Sequence, residues 1–90
     1  MPDNNVEQEY LSVFGQKLKS LRVNLAKKSL RLFSYEADIP CATLSRLENG
    51  TRIPNLITLK KIASELNISV SELLEKIEYE MPEHLKNFEP

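Results

Sequence analysis

The chain has 90 residues, 41% hydrophobic and 28% charged, with one cysteine, no tryptophan and a net charge of −1. That length suits one domain with one small core, and the composition excludes both a disordered polyelectrolyte and a membrane-spanning chain. A lone cysteine excludes an internal disulfide framework, and the polar opening "MPDNNVEQEY" lacks signal-peptide character, so a cytoplasmic location with no membrane partner is expected.

Residues 1–10 are expected to form a polar N-terminal arm. Phe14, Leu18, Leu21 and Leu25 then fall on one face of a first helix over about 11–27. Gly15 lowers the propensity of that helix by about 1 kcal/mol relative to alanine, which points to a close helix contact there. Ser29 is a candidate N-cap for a second helix, 30–37, with Phe33 and Ala37 turned inward. Asp38-Ile39-Pro40 breaks the pattern, and proline tolerates a first helical turn, so a third helix starts near Pro40–Cys41 with Leu44 and Leu47 inside. Asn49-Gly50 ends it, since glycine takes the left-handed conformation a helix end favours, and Pro54 prevents its resumption. Asn55 caps a fourth helix, 56–66, striped by Leu59, Ile62, Ala63 and Leu66. Ser69-Val70-Ser71-Glu72 is a capping box opening a fifth helix to about Ile77. The tail, 78–90, is a short extra helix or an extended arm; Tyr79, Met81, Leu85 and Phe88 make it apolar enough to pack on the core or on a second subunit.

The expected fold is therefore all-α: five short helices around one core, domain 11–77, with a C-terminal extension. The pair 30–37 and 40–48 has the spacing of a helix-turn-helix, whose second helix can enter the DNA major groove. The charge pattern is compatible with that. Residues 13–65 carry +6, while 1–12 carry −3 and 66–90 carry −4. A basic centre between acidic ends is where a polyanion docks, although such charges can also be no more than solvated faces.

Four segments, "FGQKLKSLR" (14–22), "FSYEADIP" (33–40), "TLSRLENGTRIPN" (43–55) and "LKKIASELNISVSELL" (59–74), resemble the phage repressor/Cro-type (XRE-like) helix-turn-helix family in order and spacing. The resemblance spans about residues 13–75 and implies a compact five-helix lambda-repressor-like bundle whose third helix reads double-stranded DNA. It implies base contacts from Cys41, Ala42, Ser45 and Arg46, and backbone contacts from Thr43 and Asn49. It also implies a structural ion pair between Arg22 and Glu48. Lys27, Lys28, Arg31, Thr51 and Arg52, with backbone N–H groups at the helix starts by Ser29 and Asn55, are the expected phosphate anchors. Arg46 matches guanine O6 and N7 by its fork, a contact worth ~1–3 kcal/mol of discrimination, with a phosphate clamp or surface ion pair as its other uses. Three departures bear on docking: Leu30 stands where the family commonly has glutamine, Asp38 where glycine is usual, and Pro40 where a serine cap is usual. The loop between the first two helices is also one residue longer.

Other chemistry finds little footing. Cys41 at a helix start could be a redox switch, but no second cysteine can resolve it. His84 is the only histidine, so neither a zinc site nor a Cys-His pair is expected, and no cofactor. The expectation is a non-enzymatic transcriptional regulator, a homodimeric repressor that dimerises through the fifth helix and tail. The alternative is an antitoxin or protein-interaction module whose tail wraps a toxin or other protein partner.

Overall fold

A computed structural model describes residues 4–88; residues 1–3 of the expected arm and 89–90 of the tail lie outside them. The described chain is helical, with no strand among those residues. Its elements are α1 (Asn4–Ser20), continued by a π-helical turn (Leu21–Ala26), then α2 (Leu30–Ala37), α3 (Cys41–Glu48), α4 (Leu56–Glu65), α5 (Val70–Glu78) and a single-turn α6 (Glu83–Lys86).

Caps set the boundaries of the middle elements. The Ser29 hydroxyl accepts from Leu32 N–H, Asn55 Oδ1 from Thr58 N–H and the Ser69 hydroxyl from Glu72 N–H, at 3.1, 2.8 and 3.1 Å. Each satisfies a first-turn donor that has no partner within its helix. At the end of α3, Gly50 N–H returns to Leu47 O and Thr51 N–H to Arg46 O, with Gly50 left-handed at φ 74°. Asn67, φ 59°, closes α4 in the same way through Ile68 N–H to Ala63 O. Both are the paired 5→2 and 6→1 closures that left-handed residues permit.

α1 is the spine. It contacts α3, α5 and α6, while α2 packs on α3 and α4, and α4 on α5. Phe14, Leu18, Phe33, Leu44, Leu47, Ile62, Leu73 and Ile77 fill the space between them. Burying a side chain of this size stabilises by about 1.5–3 kcal/mol, which offsets much of the entropy lost in ordering short helices.

The first helix departs from expectation at both ends. It starts at Asn4, because Val6 and Tyr10 extend the apolar stripe backwards at helical spacing and pack against the core. Residues 4–10 are thus helix in place of a polar arm. At the other end, the wider π turn rotates the following side chains, so Leu25 is 49% exposed and Arg22 is buried. A π turn takes up an extra residue per closure, which accommodates the longer connection into α2. Lys27, φ 56°, ends it.

The tail folds onto its own chain. Met81 and Leu85 are buried, the Tyr10 hydroxyl donates to Glu78 at 2.7 Å, and Tyr10 meets Phe88 edge to face. Lys17 Nζ also donates to Tyr79 O at 3.0 Å. No helix among the described residues is long and apolar enough to cross a membrane.

Candidate nucleic-acid interface

α3 is amphipathic by necessity: Leu44 and Leu47 enter the core, which turns Cys41, Ala42 and Arg46 outward, with Ser45 and Thr43 half-buried at the margins. Among the described residues the Arg46 guanidinium has no ion-pair partner, so its fork is available.

The C-terminal end of α3 is fastened to α1 at several points. A Cβ on Gly15 would lie 2.3 Å from Glu48 O and 2.6 Å from Leu47 O, so the two helix backbones approach too closely for any other residue. Gly50 comes almost as near, with its missing Cβ 2.9 Å from Ser12 Cα, and Gln8 Nε2 donates to Gly50 O at 2.9 Å. Arg22 then grips Glu48 through Nε to Oε2 at 2.7 Å and Nη2 to Oε1 at 3.0 Å. Its Nη1 donates to Lys28 O at 2.9 Å, tying the π turn to the entrance of α2. Side-chain exposures of 9% and 6% mean this fork-to-carboxylate pair works largely away from water. The hydrogen bond to Glu48 holds the Arg22 guanidinium above its ordinary pKa, in spite of burial.

The turn between α2 and α3 rests on Asp38, left-handed at φ 58° where glycine would be unstrained. Ile39 N–H returns to Ser34 O at 2.9 Å, and Lys61 Nζ donates to Asp38 O, also at 2.9 Å. The Asp38 carboxylate is left exposed, 3.5 Å from Lys61, which tempers its charge.

The expected phosphate anchors divide. Lys27, Arg31 and Arg52 are exposed, with no ion-pair partner among the described residues. Lys28 is different. Its ammonium sits between Glu65 and Glu36, 3.0 Å from the latter, and those hydrogen bonds, Glu65 first, raise its pKa. Two carboxylates surround the one lysine, so this expected anchor is already engaged within the fold. The partners stand on α2 and α4, and Lys28 links those helices. The hydroxyls also have prior duties, Ser29 as cap and Thr51 to Arg46 O at 3.3 Å. Asn49 is exposed at the turn, and Asn55 Oδ1 is a cap.

Gln8, Ser12 and Lys61 escaped the sequence reading although they position α3 and its turn. Gln8 and Ser12 lay in or beside the supposed arm. Among the described residues there is no His/Cys/Asp/Glu group that could hold a metal, and Cys41 is an exposed free thiol.

A helix-turn-helix family model matches residues 18–73. Control protein C.MunI of Mycoplasma sp. is 40% identical over 67 residues, 74% of this chain and 90% of that protein. Control protein C.BamHI of Bacillus amyloliquefaciens is 30% identical over 63 residues, 70% of this chain and 78% of that one. Among solved structures, the clp gene regulator ClgR from C. glutamicum superposes with a TM-score of 0.70 at 23% identity, covering 82% of this chain and 95% of its own; that likeness speaks to fold.

Proposed function

The chain belongs to the helix-turn-helix family and is a DNA-binding transcriptional regulator, and from that premise we propose that α3 reads the major groove for a homodimeric repressor. The observation that carries the reading is the asymmetry of α3. Its inner face and C-terminal end are locked to α1 by Gly15, Gly50, Gln8 and the Arg22–Glu48 pair, while Cys41, Ala42 and Arg46 stand uncovered. A helix held that rigidly can present its outer side chains to base edges with little entropy left to lose on binding.

Arg46 is the sequence reader, its fork matching guanine O6 and N7, with Ser45 beside it. Ala42 and the Thr43 methyl are small enough to let the helix approach thymine methyl groups. Lys27, Arg31, Thr51, Arg52 and the exposed Asn49 face phosphates, joined by first-turn N–H groups of α2 and α4 that the Ser29 and Asn55 caps leave open. Few polar readers on α3 means that DNA shape carries part of the specificity. A single α3 spans too few base pairs for selectivity, so two copies on half-sites one helical turn apart, about 34 Å, complete the reader. Bound across a promoter, such a dimer represses by occupancy. The relatives' name, control protein, fits a role of that kind.

Selection of bound fragments from random duplex DNA tests the reading. A two-fold repeated motif with half-sites about one turn apart is expected. Recovery of fragments without any shared motif would contradict it.

A further inference from the structure

The segments at the two ends of the chain build a concavity that a helix-turn-helix does not need. An open groove of about 580 Å³ is lined by the first half of α1, by α5, by the tail and by the loop and first turn of α4. Among its described lining residues only Ile53, Pro54 and Leu59 fall within residues 18–73, the part that matches the family. The wall is chiefly apolar, with Leu11, Phe14 and Leu74 in it and the rings of Tyr10 and Phe88. Its polar groups are few and lopsided in charge. Glu7 and Glu78 are both half-buried there. Glu7 has no ion-pair partner among the described residues, and Glu78 accepts a hydrogen bond at 2.7 Å from the Tyr10 hydroxyl, a neutral donor. The one ammonium in the lining, Lys86, is exposed and lies 3.6 Å from Glu83.

We propose that this groove binds a small organic cation, an ammonium group carried on an aromatic or otherwise apolar body. Its volume and lining are those of a small-molecule site, which typically measures roughly 300–1,000 Å³ and is mostly hydrophobic with a few placed polar groups. Charge then selects the sign of the ligand. An anionic ligand would face two carboxylates, with only a lysine already shared with Glu83 to offset them. An ammonium would instead take charge-assisted hydrogen bonds from carboxylates that hold no cation of their own. Because both are half-buried, that attraction is screened less than on the open surface. The rings of Tyr10 and Phe88 act in the same direction, since aromatic faces attract cations. The apolar body of the ligand is left to cover Leu11, Leu59 and Leu74, which removes their side chains from water.

The test titrates three probes of one length into the full, isotope-labelled chain and follows amide NMR shifts: phenylbutylammonium, neutral phenylbutanol and anionic phenylbutanoate. Saturable shifts are expected at Leu11, Ile53, Leu59 and Leu74, with the ammonium bound about tenfold or more tighter than the alcohol and the carboxylate weakest. Glu7→Gln should weaken the ammonium about tenfold and leave the alcohol unchanged. Glu78→Gln, which keeps an acceptor for Tyr10, serves as the second variant with the same expectation. Equal affinity for ammonium and alcohol, tighter binding of the carboxylate, two variants that bind the ammonium as wild type does, or no saturable shift at millimolar probe would each overturn the proposal. Groove shifts that follow dilution of the protein alone would place a second copy there, and shifts centred on the exposed Tyr35 and Val23 would mean unspecific adsorption; either result also overturns it.

Discussion

Arg46 and Arg52 lie six residues apart, one on the last turn of α3 and the other in the loop beyond its end, and the proposed interface gives them different tasks. A guanidinium on a base edge discriminates, whereas one on a phosphate only attracts. Arg52→Ala should therefore weaken binding evenly across sequences and reduce the salt slope of log K by about one. Fluorescence anisotropy over a range of salt concentrations checks this, and an unchanged slope would remove Arg52 from the interface. Glu48 acts at the same scale with a different currency. Glu48→Ala leaves the Arg22 charge buried without its carboxylate and should lower unfolding free energy by about 3 kcal/mol in urea denaturation. A loss below 1 kcal/mol would mean that water already screens the pair.

At the scale of elements, the crossing of α1 over α3 decides where α3 points. An alanine in mid-helix normally stabilises by about 1 kcal/mol over glycine. Gly15→Ala should do the reverse, because its Cβ would meet the Glu48 and Leu47 carbonyls, backbone atoms that cannot rotate away. A destabilisation of about 3 kcal/mol is expected, a fall of more than 10 °C in melting temperature for a domain this small. An unchanged or raised melting temperature would show that α1 and α3 stand farther apart. Helices α2 to α5 were legible in the sequence because local signals bound them: Ser29, Asn55 and Ser69 as caps and Gly50 as an end. The start of α1 was hidden because Val6 and Tyr10 sit among polar neighbours. Leu25 was misplaced because straight α-helical periodicity carries no sign of a π turn. The Lys28 site was illegible for another reason: its partners Glu36 and Glu65 come together only when α2 and α4 pack.

For the molecule as a whole, the fastening of the tail makes a statement about pH. Burial first, then the hydrogen bond to Glu78, raise the Tyr10 pKa, and hydrogen bonds to Glu65 and Glu36 raise that of Lys28. In both cases the folded chain holds its proton more tightly than the unfolded chain does. Their contribution to stability is thus complete below about pH 10, the unfolded range for tyrosine and lysine, and fades as pH rises beyond it. Urea midpoints should be flat from neutral pH to about 9 and fall above 10, with a smaller fall in Tyr10→Phe. Identical alkaline profiles for the two proteins would detach Tyr10 from that loss. The basic centre and acidic ends belong to this scale too, since a net charge of −1 conceals a central segment of residues 13–65 that carries +6.

The proposed reading has Arg46 in the major groove, and a nucleotide substitution reaches that contact most directly. In the selected operator, each guanine is replaced in turn by 7-deazaguanine, which lacks the N7 acceptor, and affinity is measured for wild type and Arg46→Ala. At one guanine per half-site, the wild type should lose about tenfold or more while Arg46→Ala loses nothing further. Wild-type affinity indifferent to every replacement, or equal losses in both proteins, would contradict a reader helix in the major groove.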